Sequence, residues 1–123
     1  MNTHSFSTEL AKEYGINEAL LLQHFYFWHQ RNKSNNHHFY DNHYWTYNSV
    51  KAFNELFDYL TPKQISYTIE KLKEQNLLIT GNYNKNTFDR TLWYALTEKA
   101  LSYFGKSILQ NCQMEKTKLS NHI

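Results

Sequence analysis

Apolar residues first recur at helical spacing over residues 8–14, where Leu10, Ala11 and Tyr14 share one face. Ser7 is the expected N-cap and Gly15 ends the run. A second helix is predicted over 18–31, capped by Asn17. Leu21, Phe25 and Trp28 form its main stripe with Leu22 beside it, and Ala19, Leu20, Tyr26 and Phe27 carry the apolar surface round both flanks. Gln23 and Gln30 mark its polar side. A helix apolar on most sides is covered by several elements or shared with a partner. Residues 32–43 are polar and turn-rich and read as a loop, after which 43–47 reads as a short strand carrying Tyr44, Trp45 and Tyr47. Asn48 or Ser49 then caps a helix with Val50, Phe53, Leu56 and Phe57 facing inward.

Thr61-Pro62-Lys63-Gln64 is the sharpest local signal. Thr61 suits the N-cap, Pro62 the first helical position, and Gln64 completes a capping box. This helix is predicted to run to Gln75, burying Ile65, Ile69 and Leu72, with Lys63 and Tyr67 on its outer side. Residues 77–83 and 88–96 read as two strands joined by a turn at Asn84-Lys85-Asn86. Thr97 caps a last helix on Ala100, Leu101, Phe104 and Ile108. The chain is polar from Gln110 onward.

The order is helix, helix, short strand, helix, tight turn, helix, hairpin, helix. The predicted fold is α+β, mostly α: a winged helix-turn-helix with extra N-terminal helices and a C-terminal helix. One winged-helix domain is expected over 1–109, with the helix-turn-helix at 49–75, the wing at 77–96, the C-terminal helix at 97–109 and a flexible tail at 110–123. In such a motif the second helix of the pair enters the major groove of double-stranded DNA and the wing reaches the neighbouring backbone. The residues placed for this are Thr61, Lys63, Gln64, Ser66, Tyr67 and Lys71 on the helix, and Asn84, Lys85, Asn86 and Arg90 on the wing. Glu70 and Glu74 keep the far half of the helix away from DNA. Winged helices also dock on proteins, so a regulator or inhibitor of a host complex is the alternative.

Composition adds bounds. The chain has 123 residues, 41% hydrophobic and 17% aromatic, with 3 Gly and 1 Pro, which describes a folded domain. Net charge is +2. Residues 1–60 hold 4 basic and 6 acidic groups, whereas 61–96 hold 5 and 3, a mild electrostatic footprint on the half that carries the motif. The longest strictly apolar runs, 19–22 and 25–28, are far below a membrane span of roughly 20 residues. With no signal peptide evident and Cys112 the sole cysteine, a soluble protein of the reducing cytoplasm is expected.

Several blocks resemble a known family. Gly15-Ile16-Asn17-Glu18-Ala19, Leu22-Gln23 and Trp28 resemble the start of a winged-helix domain of phage and mobile-element replication proteins. Trp45-Thr46-Tyr47-Asn48-Ser49 resembles that family's block before the helix-turn-helix. Leu78-Ile79-Thr80-Gly81-Asn82-Tyr83-Asn84 with Asp89-Arg90-Thr91-Leu92-Trp93-Tyr94 resembles its wing. The likeness covers residues 6–96 and extends to DnaD-like replisome organisers and plasmid replication initiators. It implies DNA binding, often as a homo-oligomer, at a replication origin or operator. The setting it implies is replication initiation or transcriptional regulation; such proteins continue into a further region, and a short stand-alone copy that has lost replication activity is expected to act as a regulator or an inhibitor of another protein.

Other chemistry is not expected. His37, His38 and His43 cluster in the polar loop, but four metal ligands at typical spacing are missing. His24 and His29 are expected to pack on their helix or at an interface and to titrate near the ordinary histidine value of about 6.5. No paired carboxylates and no G-x-S-x-G elbow are present, so neither catalysis nor a cofactor is anticipated. Trp45 and Trp93 should fill the core beneath the sheet, with Trp28 on the covering helix. Leu20, Tyr26 and Phe27 exceed what a small domain covers, and a homodimer interface is expected there.

Overall fold

In the computed structural model, which describes residues 3–105, local hydrogen bonds delimit each helix. Helix α1 (Thr8–Tyr14) opens where Ser7 Oγ accepts from the Leu10 amide at 3.3 Å. Gly15 closes α1 and directly caps α2 (Ile16–Ser34). Its φ of +116° is a conformation that side-chain-bearing residues rarely adopt, and a Cβ there would collide with Glu18 Oε1. The glycine, rather than Asn17, is therefore the cap.

At its other end α2 continues past residue 31 into the stretch predicted as loop. The buried Asn32 explains this: its Nδ2 donates to the Trp45 carbonyl at 2.9 Å and ties the last turn to the chain beyond. The remainder of that loop contains a further correction. β1 (Phe39–Tyr40) pairs antiparallel with β2 (His43–Tyr44), and both residues between them, Asp41 and Asn42, have positive φ. This is the backbone of a type I′ hairpin turn.

Helix α3 (Val50–Leu56) is capped by Ser49, whose Oγ accepts from the Ala52 amide at 3.1 Å. Phe53 and Phe57 are buried as expected, but Leu56 is 44% exposed, because α3 spans only two turns and turns that residue away from the core. Helix α4 (Pro62–Glu74) begins with both halves of the capping box formed and ends at Gln75. Asn76, at φ +60°, lets the Leu77 amide reach back to the Leu72 carbonyl at 2.9 Å, a Schellman closure between two fully buried leucines.

Strands β3 (Thr46–Tyr47), β4 (Leu78–Gly81) and β5 (Trp93–Leu96) form an antiparallel sheet in the order β3-β5-β4. Leu78 faces Leu96 and Gly81 faces Trp93 in the register. Among the described residues the last strand in sequence is thus the central one. Its side chains alternate between two buried layers. Tyr94 and Leu96 join the main core under α2, where Phe25, Phe53 and Tyr94 meet at steep and tilted ring angles with centroids 5.5–5.6 Å apart. Trp93 and Ala95 join Trp45, Ile79 and Tyr83 on the opposite face.

Residues 98–105 form α5, opened by Thr97, whose Oγ1 accepts from the Ala100 amide at 3.2 Å. Ala100 and Phe104 are buried. Helix α2 packs against α1, α4 and β5 and also meets β2 and β3, which accounts for its nearly continuous apolar surface. The molecule is α+β and mostly helical. Ile108, Cys112 and the predicted tail over 110–123 lie outside the described residues.

Candidate nucleic-acid interface

The residues expected to contact DNA divide by what their polar atoms already do. At the start of α4, Thr61 Oγ1 accepts from the Gln64 amide at 3.1 Å, and Gln64 Oε1 accepts from the Thr61 amide at 2.9 Å. Both groups hold the helix terminus, and Gln64 keeps its Nε2 donors for other partners. Lys63 and Ser66 are exposed, as is Tyr67 at 65%. Lys63 makes no ion pair among the described residues. Lys71 does: its Nζ lies 3.7 Å from Glu18 Oε2, a side chain only 10% exposed, and 5.6 Å from the Tyr67 ring. Its charge is directed toward α2, which corrects its placement beside Lys63. Lys73 pairs with Glu70 at 3.3 Å. Past Tyr67 the outer face of α4 is therefore neutralised, and its cationic part is the first turn.

The hairpin differs from the predicted one. Instead of long strands meeting at a tight turn, residues 82–92 leave the ladder. Short polar side chains compete for the backbone. Asn82 Oδ1 accepts from the Asn84 amide at 2.9 Å, Asn86 Oδ1 from the Phe88 amide at 2.9 Å, and Asp89 Oδ1 from the Thr91 amide at 3.0 Å. Asn84 is the organiser. Its Nδ2 donates to the carbonyls of Asp89 and Thr91, and its Oδ1 accepts from Trp93 Nε1 at 2.8 Å. The reading of Asn84 as a ligand contact is corrected, since its side chain is half-buried, both Nδ2 donors are used and Oδ1 holds the Trp93 indole. Lys85, Asn86 and Arg90 are exposed.

The loop is also anchored from outside. Tyr47 donates to Asp89 Oδ2 at 2.8 Å, and Tyr83 stacks on Tyr40 at 4.7 Å while donating to Asp41. The amide of Thr91 and the hydroxyl of Tyr47 hold the Asp89 carboxyl below its ordinary value, whereas the bond to Asp41 pushes the Tyr83 hydroxyl up to about 12. Sequence reasoning missed this support, whose Tyr83 contacts depend on the β1–β2 hairpin. The Asp41-Asn42 pair between two aromatic dipeptides was the available signal.

The expected dimer residues separate. Leu20 is 7% exposed and belongs to the monomer's own core. Tyr26 stacks on Phe104 of α5 at 4.0 Å with planes 6° apart. Phe27 alone remains well exposed, at 53%. Of the surplus apolar surface that motivated the interface, α5 covers Tyr26, the core encloses Leu20, and Phe27 stays uncovered.

The helix histidines are corrected too. Burial and the nearby His4 lower His24 to about 4, and burial, Lys33 and His43 lower His29. His24 Nε2 and His29 Nδ1 are buried without hydrogen-bond partners. Among the described residues no group of three or more His, Cys, Asp or Glu side chains is placed to hold a metal ion, and no helix is long and apolar enough to cross a membrane. Comparison of the chain with protein-family models, curated proteins and solved structures finds no match.

Proposed function

We propose that the protein is a winged helix-turn-helix that binds double-stranded DNA, with the first turn of α4 in the major groove and loop 82–92 as the wing. The observation that carries this reading is the first turn of α4. A closed capping box there leaves Lys63, Ser66 and Tyr67 exposed at a helix N-terminus that favours phosphate. The order α3–α4–hairpin, with sheet order β3-β5-β4, supports the wing. The sequence blocks that resemble phage and mobile-element replication proteins suggest replication initiation or transcriptional regulation as the setting.

The direct test is a gel-shift with random duplexes followed by selection and sequencing. Lys63→Glu should weaken the selected duplex by about 1–3 kcal/mol. Unchanged binding by a folded Lys63→Glu protein removes α4 as the reader. One observation favours the alternative of a protein-docking module. From Tyr67 onward the outer face of α4 presents that ring with Glu70 and Glu74, while Lys71 and Lys73 are both held by carboxylates. Failure of any duplex to bind at low salt would make that reading the better one.

A further inference from the structure

Phe88 is 90% exposed, the most exposed large apolar side chain among the described residues. A single exposed apolar residue on a loose loop needs no explanation. This one is not on a loose loop. Its own amide donates to Asn86 Oδ1, the next amide, that of Asp89, donates to the Asn86 carbonyl at 3.0 Å, and Asn84 clamps the carbonyls of Asp89 and Thr91. Tyr47 fixes the Asp89 side chain from β3. The hydrogen bonds hold the backbone on both sides of Phe88 while its ring is left in water.

The charges around the ring sum to a net positive value. Residues 75–97 contain two cations, Lys85 and Arg90, and one carboxylate, Asp89. Both oxygens of Asp89 are occupied by Thr91 and Tyr47. The other carboxylate that reaches the hairpin, Asp41, meets Tyr83 at the base of the loop. The tip is thus an aromatic ring with an exposed cation on either side in sequence.

We infer that Phe88 is a wedge that inserts between stacked base pairs of duplex DNA from the wing, with Lys85 and Arg90 on the flanking phosphates. Apolar side chains inserted at base steps unstack and kink a duplex, and cations beside them hold the strands. A pre-ordered loop loses little freedom on insertion. One ring suits one base step, whereas stable anchoring to a bilayer takes two membrane-binding signals. The inference rests on the DNA-binding reading and adds to it a preference for deformable steps. Pyrimidine–purine steps such as TA unstack most readily, so the wing would favour them without hydrogen-bonding to their bases.

The test uses the full chain and a mixed-sequence duplex carrying 2-aminopurine at a TA step, whose fluorescence rises on unstacking. The expected result is brightening on binding, lost in Phe88→Ala together with about tenfold in affinity, and largely retained in Phe88→Trp. The salt dependence should be unchanged in Phe88→Ala, because no phosphate contact is removed. Binding without brightening, and with Phe88→Ala equal to the parent protein, overturns the wedge and leaves DNA binding intact. Absence of duplex binding by the parent protein overturns the DNA reading itself, and the wedge with it. Binding to anionic vesicles that Phe88→Ala abolishes, with duplex binding unaffected, assigns the ring to a lipid surface instead and also overturns the wedge.

Discussion

Replacing His24 by Leu should remove an acid-sensitive component of stability. The imidazole sits edge-on between Phe53 and Phe57, with both centroids 5.7 Å away, and its Nε2 is buried without a hydrogen-bond partner. Burial first, and His4 second, lower its pKa from 6.5 to about 4. In the unfolded chain the same group takes up its proton near 6.5. Between those values the unfolded state binds a proton that the folded state refuses, so stability falls as pH falls through this window. The contribution is complete above the unfolded value and is lost by about pH 4. The full change corresponds to about 3 kcal/mol, a large share of the total for a small domain. The burial of His29 and His38 lowers their pKa values as well and adds loss of the same sign. The informative quantity is therefore the difference between the parent protein and His24→Leu. Urea unfolding followed by tryptophan fluorescence gives that difference as a function of pH. It should be constant above pH 6.5 and shift by about 3 kcal/mol in favour of the variant on descending to pH 4. Two proteins that lose stability in parallel would show that His24 titrates normally in the folded state and would refute the argument.

Three further outcomes follow from local geometry. Thr61→Ala removes the oxygen that accepts from the Gln64 amide and should cost about 1 kcal/mol in urea unfolding, with Thr61→Ser restoring most of it. Asn84→Ala unpairs Trp93 Nε1 and frees two carbonyls, for a loss of about 1–3 kcal/mol and a red shift in tryptophan emission as the loop opens. Lys85→Ala should weaken binding to all duplexes alike and make the slope of log K against log salt shallower by about one, and an unchanged slope would mean that this lysine touches no phosphate.

What the sequence revealed about this protein was mostly what neighbouring residues settle between themselves. The caps at Ser7, Ser49, Thr61 and Thr97 each involve a side chain and an amide three residues on, so they could be read from short windows of the chain. The buried stripe Ile65, Ile69, Leu72 was legible for the same reason. The faces of α2 were not, because Leu20 and Tyr26 look alike as surplus until α5 is seen to cover Tyr26 and the core to enclose Leu20. Lys63, Lys85 and Arg90 are exposed, as the expected DNA contacts require, whereas Lys71 and Asn84 spend their polar atoms within the fold. Their partners, Glu18 and Trp93, lie 53 and 9 residues away along the chain, and a pattern of residue types carries no information about such pairings.

The central position of β5 sets when this molecule becomes able to fold during synthesis. Neither β3 nor β4 pairs with the other, and each finds its hydrogen bonds only on β5. The C-terminus of α4 waits as well, because the Asn76 carbonyl is capped by Thr97 Oγ1 at 2.7 Å and the Gln75 carbonyl by Lys99 Nζ at 2.9 Å. A ribosome that has released residues up to 92 has therefore exposed five helix and hairpin segments with no sheet to join them. Nascent chains arrested there should remain sensitive to protease, and protection should arise in a single step once residues 93–104 clear the exit tunnel. The domain is built to fold at once and late, and a helper that shields α2 in the interval would meet its most apolar surface.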